Sequence, residues 1–235
     1  MTTHTRRTAA VAALVVALVA GMLTAPNAVA QRIITLTLVR HAQSEGNASG
    51  LIDTSTPGPP LTALGREQAE TAAQKLAAGH TFDGIYASTM IRTQQTAQPL
   101  ADLSSEPVTV LPGLREIEAG IYEGQPEALA GFTYYEAPTR WLQGDRTARI
   151  PGSIDGDEFD ARFDEAVREI YDSEDTDPVA FSHAGAIMTW VAMNVDNPDL
   201  GLLSRHPLGN TGHAVVKGNP TGGWTLVDWD GINTE

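Results

Sequence analysis

Residues 33–47 read Ile-Ile-Thr-Leu-Thr-Leu-Val-Arg-His-Ala-Gln-Ser-Glu-Gly-Asn. The first seven are all β-branched or apolar, the pattern of a strand buried on both faces. Arg40 and His41 follow at once, and a Gly/Ser/Pro-rich loop runs on over 44–60. A buried strand that ends on a guanidinium and an imidazole carries reactive groups at its carboxyl end.

Further along the chain, helix and strand signals alternate. Residues 61–78 read as an alanine-rich helix with Thr62 as N-cap. Residues 82–86 read as a strand. Residues 89–104 read as a second helix that Pro99 is expected to kink or split. A third strand is expected over 107–111, and an irregular excursion mixing glycine, proline and aromatics over 113–156. Phe159, Phe163, Val167 and Ile170 fall on one face of a helix over 159–171. A strand at 179–181, a helix at 185–193 and closing strands at 213–217 and 224–229 complete the pattern. It specifies an α/β fold, a mostly parallel central sheet with helices on both faces. Ligands of such sheets bind at the carboxyl ends of the strands.

Four segments occupy those ends: Arg40 to Asn47, Ser88 to Thr96, Leu114-Arg115-Glu116, and Ser182-His183-Ala184-Gly185. Together they bring Arg40, Arg92, His41, His183 and Glu116 toward one pocket. Arginines are permanently charged forks suited to phosphate oxygens. A neutral imidazole is a competent nucleophile, oriented by a hydrogen bond to its other nitrogen. A carboxyl group among phosphate charges has its pKa raised and can protonate a leaving alcohol, then deprotonate water.

With these motifs in this order, the chain resembles the histidine phosphatase superfamily, in its phosphoglycerate mutase-like branch. The motifs are Arg40-His41-x-x-Ser44-x-x-Asn47, Leu61-Thr62-x-x-Gly65-x-x-Gln68-Ala69, Ser88-x-x-x-Arg92-Thr93-x-Gln95-Thr96, Leu114-x-Glu116-x-x-x-Gly120-x-x-x-Gly124, Ser182-His183-Ala184-Gly185 and Asn210-Thr211-Gly212. The resemblance implies a phosphoglycerate mutase-like fold and these roles: His41 as nucleophile, Arg40, Arg92 and His183 as phosphoryl-binding groups, and Glu116 as proton donor and then base. It implies Ser44 and Asn47 as further substrate contacts, with no metal and no organic cofactor. Glu118 and Glu123 stand close enough in sequence to compete with Glu116. Ala42 departs from the glycine common in the family. Ala184-Gly185 lacks the aspartate of the acid-phosphatase and phytase branch. Lys75 and Lys217 are the only lysines, and the chain lacks an Arg-rich insert for a bisphosphorylated cofactor.

The N-terminal thirty residues differ from the rest. Arg6 and Arg7, an apolar run over 9–23 and Ala28-Val29-Ala30 follow the order of a secretory signal. The expected organisation is a signal peptide over 1–30 and a catalytic domain over 31–235. A retained N-terminal anchor is the alternative. The chain carries 15 Lys and Arg against 29 Asp and Glu, net −14; losing Arg6 and Arg7 leaves 13 against 29, or −16. Such a surface repels nucleic acid and anionic lipid. With no cysteine, disulfides and thiolate chemistry are excluded.

These readings lead to an exported, metal-independent phosphatase that hydrolyses small phosphomonoesters through phosphohistidine. No nucleic-acid partner and no stable membrane anchor are expected, and nothing sets an oligomeric state. The alternatives are a phosphoglycerate-type mutase and a non-catalytic protein that binds phosphorylated ligands. Tyr134, Tyr135 and Trp141 either line a substrate lid or pack a satellite core. Arg140, Arg146 and Arg149 are candidates for further substrate contacts. The run 172–177 reads as a solvated acidic loop, and His80, His206 and His213 as structural or rim residues.

Overall fold

In the computed structural model, which describes residues 31–234, the 33–39 stretch forms the strand β1 (Ile34–Arg40). After it come α1 (Glu45–Ser49), α2 (Ala63–Gly79), β2 (Gly84–Ala87), α3 (Ile91–Ser104) and β3 (Val108–Val110). The irregular excursion holds three short 3₁₀ turns and α4 (Glu136–Leu142). The chain ends with α5 (Gly156–Asp172), β4 (Pro178–Ser182), α6 (Ala184–Asn194), α7 (Leu200–Arg205), β5 (His213–Asn219), β6 (Gly223–Trp229) and β7 (Ile232–Asn233). The signal reading of 1–30 lies outside the described residues.

The strands form one sheet in the order β3-β2-β4-β1-β5-β6-β7. β3, β2, β4 and β1 pair in parallel, as the helix-strand alternation requires. The closing strands β5, β6 and β7 add to β1 in antiparallel fashion. β5 and β6 are joined by a tight hairpin, a connection open only to antiparallel neighbours.

Side chains of the parallel strands alternate between two cores. Leu36, Leu38 and Ala180 face the core that α5 and α6 cover, with Phe163, Ile170 and Trp190. Val39, Ile85, Val179 and Phe181 face the smaller core under α2 and α3, with Ala73, Ala97 and Leu100. Burial on both faces explains why β1 reads as a continuous apolar run. On α5, Phe159, Phe163, Val167 and Ile170 are all buried. Each such side chain contributes up to about 1.5–3 kcal/mol. Asp155 and Glu158 close a reciprocal capping box at the helix start.

Two local features refine the pattern. Pro99 lies inside α3 without ending it; the helix forgoes one backbone hydrogen bond, and the packing of Ala97, Leu100 and Ala101 holds it. The 44–60 loop opens with a short helix, α1, because Ser44 and Asn47 form a capping box. Thr62 caps α2 as its sequence indicates, accepting from Gly65 N–H at 2.9 Å. Gly65 is required there: a Cβ would lie 2.0 Å from the Gln43 carbonyl oxygen.

Candidate active site

The register of β1 against β4 sets the first part of the site. Arg40 pairs with Ser182, so His41 and His183 leave adjacent parallel strands side by side. Their ring centroids are 5.1 Å apart at an interplanar angle of 62°. His41 N–H donates to the Ser182 carbonyl at 3.0 Å, and Ala42 N–H to Thr96 Oγ1 at 3.0 Å. Ala42 is fully buried, so its methyl group is accommodated where the family often has glycine.

His41 is held in one tautomer. Its Nδ1–H donates to the Ala42 carbonyl at 2.7 Å, and Arg92 Nε–H donates to its Nε2 at 3.2 Å. The Nε2 lone pair therefore faces the guanidinium, where an anion would dock. Burial first, then the charges of Arg92 and Arg40, hold its pKa well below the ordinary 6.5. His183 is fully buried, with Nε2 at 2.9 Å from Ser88 Oγ. Burial and then Arg92 depress its pKa as well. Ser88 is itself fixed by Met90 N–H at 3.1 Å and by Thr93 Oγ1 at 2.9 Å.

Arg92, on the first turn of α3, is 3% exposed. Its Nη2–H donates to the Asp53 carbonyl at 3.2 Å. Arg40 donates from Nη1 to the Leu208 carbonyl at 2.6 Å. Three buried nitrogens of this cluster, Arg40 Nε, Arg92 Nη1 and His183 Nδ1, have no hydrogen-bond partner among the described residues. A buried donor without a partner costs about 1–3 kcal/mol. Arg92 Nη1 lies against the 55–58 loop, where a Cβ on Gly58 would come within 2.8 Å of it.

Glu116 follows the 3₁₀ turn Pro112–Leu114 and points at the N-terminus of α6. Its Oε1 accepts from Ile117 N–H at 2.9 Å and its Oε2 from Gly185 N–H at 3.2 Å. Burial raises its pKa, although those N–H groups and Arg92 pull the other way. The neighbouring carboxylates are engaged elsewhere. Glu118 pairs with Arg115 and Arg162. Glu123 accepts from Thr54 N–H and Oγ1–H at 2.8 and 2.6 Å. Of the three, Glu116 alone lines the cavity.

That cavity has a volume of about 560 Å³. Arg40, His41, Ser44, Asn47, Arg92 and Glu116 line it, and His183 lies beside His41. Ser44 and Asn47 cap α1 with each other, and Asn210 Nδ2–H bridges the Asn47 Oδ1 and the His41 carbonyl at 3.3 and 3.1 Å. Their polar atoms therefore hold the loop against β1 as well as facing the cavity. Tyr134 and Tyr135 line the cavity, whereas Trp141 is buried in the core, stacked on Phe159. Arg140, Arg146 and Arg149 pair with Asp145, Asp160 and Asp155 respectively, and none lines the cavity. His80 and His206 are exposed, and His213 pairs with Asp228 and Asp230. Sequence reasoning missed the wall contributed by Leu200, Leu203 and Leu208. A six-residue helix leaves too short a period to reveal its inner face.

Two arginines, two buried imidazoles and a carboxyl group are thus gathered on the carboxyl-end side of one α/β sheet, with Arg40, His41, Arg92 and Glu116 lining a single cavity. The chain belongs to the histidine phosphatase superfamily (branch 1), whose family model matches residues 36–231. It is 49% identical over 214 residues to PE-PGRS family protein PE_PGRS11 of Mycobacterium tuberculosis (strain ATCC 25618 / H37Rv), covering 85% of this chain and 37% of that protein. It is 36% identical over 116 residues to Probable phosphoglycerate mutase GpmB of Yersinia enterocolitica, covering 48% of this chain and 52% of that protein. The chain thus spans about half or less of the length of these relatives. Among solved structures, a mycobacterial glucosyl-3-phosphoglycerate phosphatase in complex with VO3 superposes with a TM-score of 0.69 at 24% identity, covering 85% of this chain and all of that one. Among the described residues no helix is long and apolar enough to cross a membrane.

Proposed function

We propose that this protein is a phosphatase that cleaves phosphomonoesters in two steps through a phosphohistidine. The observation that carries the reading is Arg92 Nε–H donating to the oriented Nε2 of His41 beside the buried His183 ring, with Arg40, Arg92 and Glu116 lining the same cavity as His41. The first step forms a bond from His41 Nε2 to phosphorus and breaks the phosphorus–oxygen bond to the alcohol. Arg40, Arg92 and His183 hold the phosphoryl oxygens as charge spreads over them. Glu116, whose protonated form burial favours, gives its proton to the leaving oxygen. In the second step the Glu116 carboxylate takes a proton from water, which attacks the phosphohistidine and frees phosphate and the imidazole. Ser44 and Asn47 set the loop over the phosphoryl group. The reading assigns no metal or organic cofactor to these steps.

A phosphoglycerate-type mutase is the second reading, favoured by the similarity to a phosphoglycerate mutase. It uses the same first step and returns the phosphoryl group to a bound acid. We also infer that residues 1–30 are a cleaved export signal, from Arg6-Arg7, the apolar run and Ala28-Val29-Ala30. N-terminal sequencing of protein recovered from the culture medium should begin at Gln31; a start at Met1 contradicts cleavage.

The test of the catalytic reading is phosphate release from a chromogenic aryl phosphate, with and without EDTA, beside His41→Ala. EDTA-resistant release that the variant loses is the expected result. Release by the variant at the wild-type rate assigns the nucleophile elsewhere. With a phosphoglycerate, free phosphate supports the phosphatase and an isomer the mutase.

A further inference from the structure

The phosphoryl site accounts for only the floor of the cavity; the wall above it differs in chemistry. The wall comes from the loop after α1, the excursion around α4, the second turn of α6, and α7. Leu51, Ile52, Leu142, Met188, Leu203 and Leu208 line it, with Tyr134 and Tyr135. The apolar lining continues out to the rim, where Leu51 and Leu200 are 44% and 46% exposed. Arg40 and Arg92 are the only arginines or lysines among the lining residues, and both belong to the floor. The charged groups beyond them are acidic: Asp53 and Glu127. The other polar groups on the wall, including Thr139, Thr189 and Ser204, are neutral. The arginines of the excursion, which could have supplied cations, are held in ion pairs outside the cavity.

A single phosphoryl dianion uses both arginines of the floor. A carboxylate or second phosphate on the same substrate would lie among leucines and carboxylates, with no cation to compensate its lost hydration. An apolar group there gains by leaving water.

We propose that the substrates of this site are monophosphates of apolar alcohols, alkyl or aryl, and not polyanions such as phosphoglycerates. The inference rests on the phosphatase reading and specifies its substrate class. The products are inorganic phosphate and the free apolar alcohol, with water as the only co-reactant.

The test measures phosphate release by the full chain from ethyl, butyl, hexyl and octyl phosphate, beside naphthyl phosphate, glycerol phosphate and 3-phosphoglycerate. The expected kcat/KM rises roughly two- to four-fold per methylene, mainly through KM. Octyl and naphthyl phosphate should then exceed glycerol phosphate by about 10²-fold or more. Leu200→Lys adds a cation at an exposed position of the rim, where folding is not at stake. It should flatten the chain-length series and raise the rate with 3-phosphoglycerate. A flat series with 3-phosphoglycerate preferred overturns the substrate class and leaves the phosphatase reading standing. No phosphate from any ester overturns the phosphatase reading and this inference with it.

Discussion

The floor and the wall of the cavity are built by opposite means. The floor consists of side chains at the ends of β1 and β4, on the first turn of α3 and after the 3₁₀ turn Pro112–Leu114. Backbone or hydroxyl partners fix them: Ala42 O for His41, Ser88 Oγ for His183, Gly185 N–H for Glu116. The wall consists of leucines, a methionine and tyrosines on short helices and an irregular excursion, held by packing. Charge and direction are concentrated where the phosphoryl group would sit, and unspecific apolar surface where the rest of the substrate would lie. Changes to the floor should therefore act on the chemical steps, and changes to the wall on the choice of alcohol.

The largest break in that contrast should come from the nucleophile. His41→Ala should lower kcat by roughly 10⁴–10⁶-fold with the fold intact by circular dichroism. An effect confined to KM would assign His41 to binding. Glu116→Gln should follow, with a loss of about 10²–10⁴-fold on an alkyl phosphate. A nitrophenyl phosphate has a good leaving group, so its first step should suffer less and show a burst of nitrophenolate. Equal losses in the first step on both substrates would mean that Glu116 does not protonate the leaving oxygen.

A subtler change separates position from identity. A Cβ on Gly185 would lie 2.8 Å from Glu116 Oε1. Gly185→Ala should shift the carboxylate and cost about 10–10²-fold in kcat/KM. The carboxylate can swing aside, so the melting temperature should change little. A large fall in melting temperature with unchanged activity would show that Gly185 serves packing alone.

The depressed pKa values of His41 and His183 make the floor a source of acid lability. Their unfolded forms take up protons below 6.5, and the folded forms do so only at lower pH. Stability should therefore fall as pH drops below 6.5, by at most about 1.4 kcal/mol per pH unit for each histidine. Glu116 works the other way: its raised folded pKa favours the native state below that value and gives up this contribution as pH rises through it. Melting curves from pH 7 to 5 should show a net loss of stability, shallower in His183→Gln. A slope unchanged by that substitution would contradict burial of a neutral His183.

The same contrast separates what was legible in the sequence from what was not. β1 could be read because burial on both faces leaves an unbroken apolar run, and Arg40, His41 and His183 stand directly at strand ends. The parallel strands, α2 with its Thr62 cap and the apolar face of α5 were equally plain. The choice of Glu116 over Glu118 and Glu123 was not, since proximity in sequence does not show which carboxylate Arg162 or Thr54 engages. Tyr134, Tyr135 and Trp141 lie within a few residues of one another, yet two line the cavity and one packs in the core. Tertiary packing decides that, in a segment without a regular period. The hairpin of β5 and β6 could be read as strands, but their antiparallel sense depends on a short connection that apolar pattern does not encode.

Transfer of the phosphoryl group to His41 Nε2 would leave a covalent intermediate on the enzyme. Rapid acid-free quenching of the full chain turning over an aryl phosphate, followed by peptide mass spectrometry, tests it most directly. The expected result is an acid-labile, alkali-stable phosphoryl group on the peptide containing His41, accumulating further in Glu116→Gln. Turnover with no label on that peptide, or with the label on another residue, would contradict it.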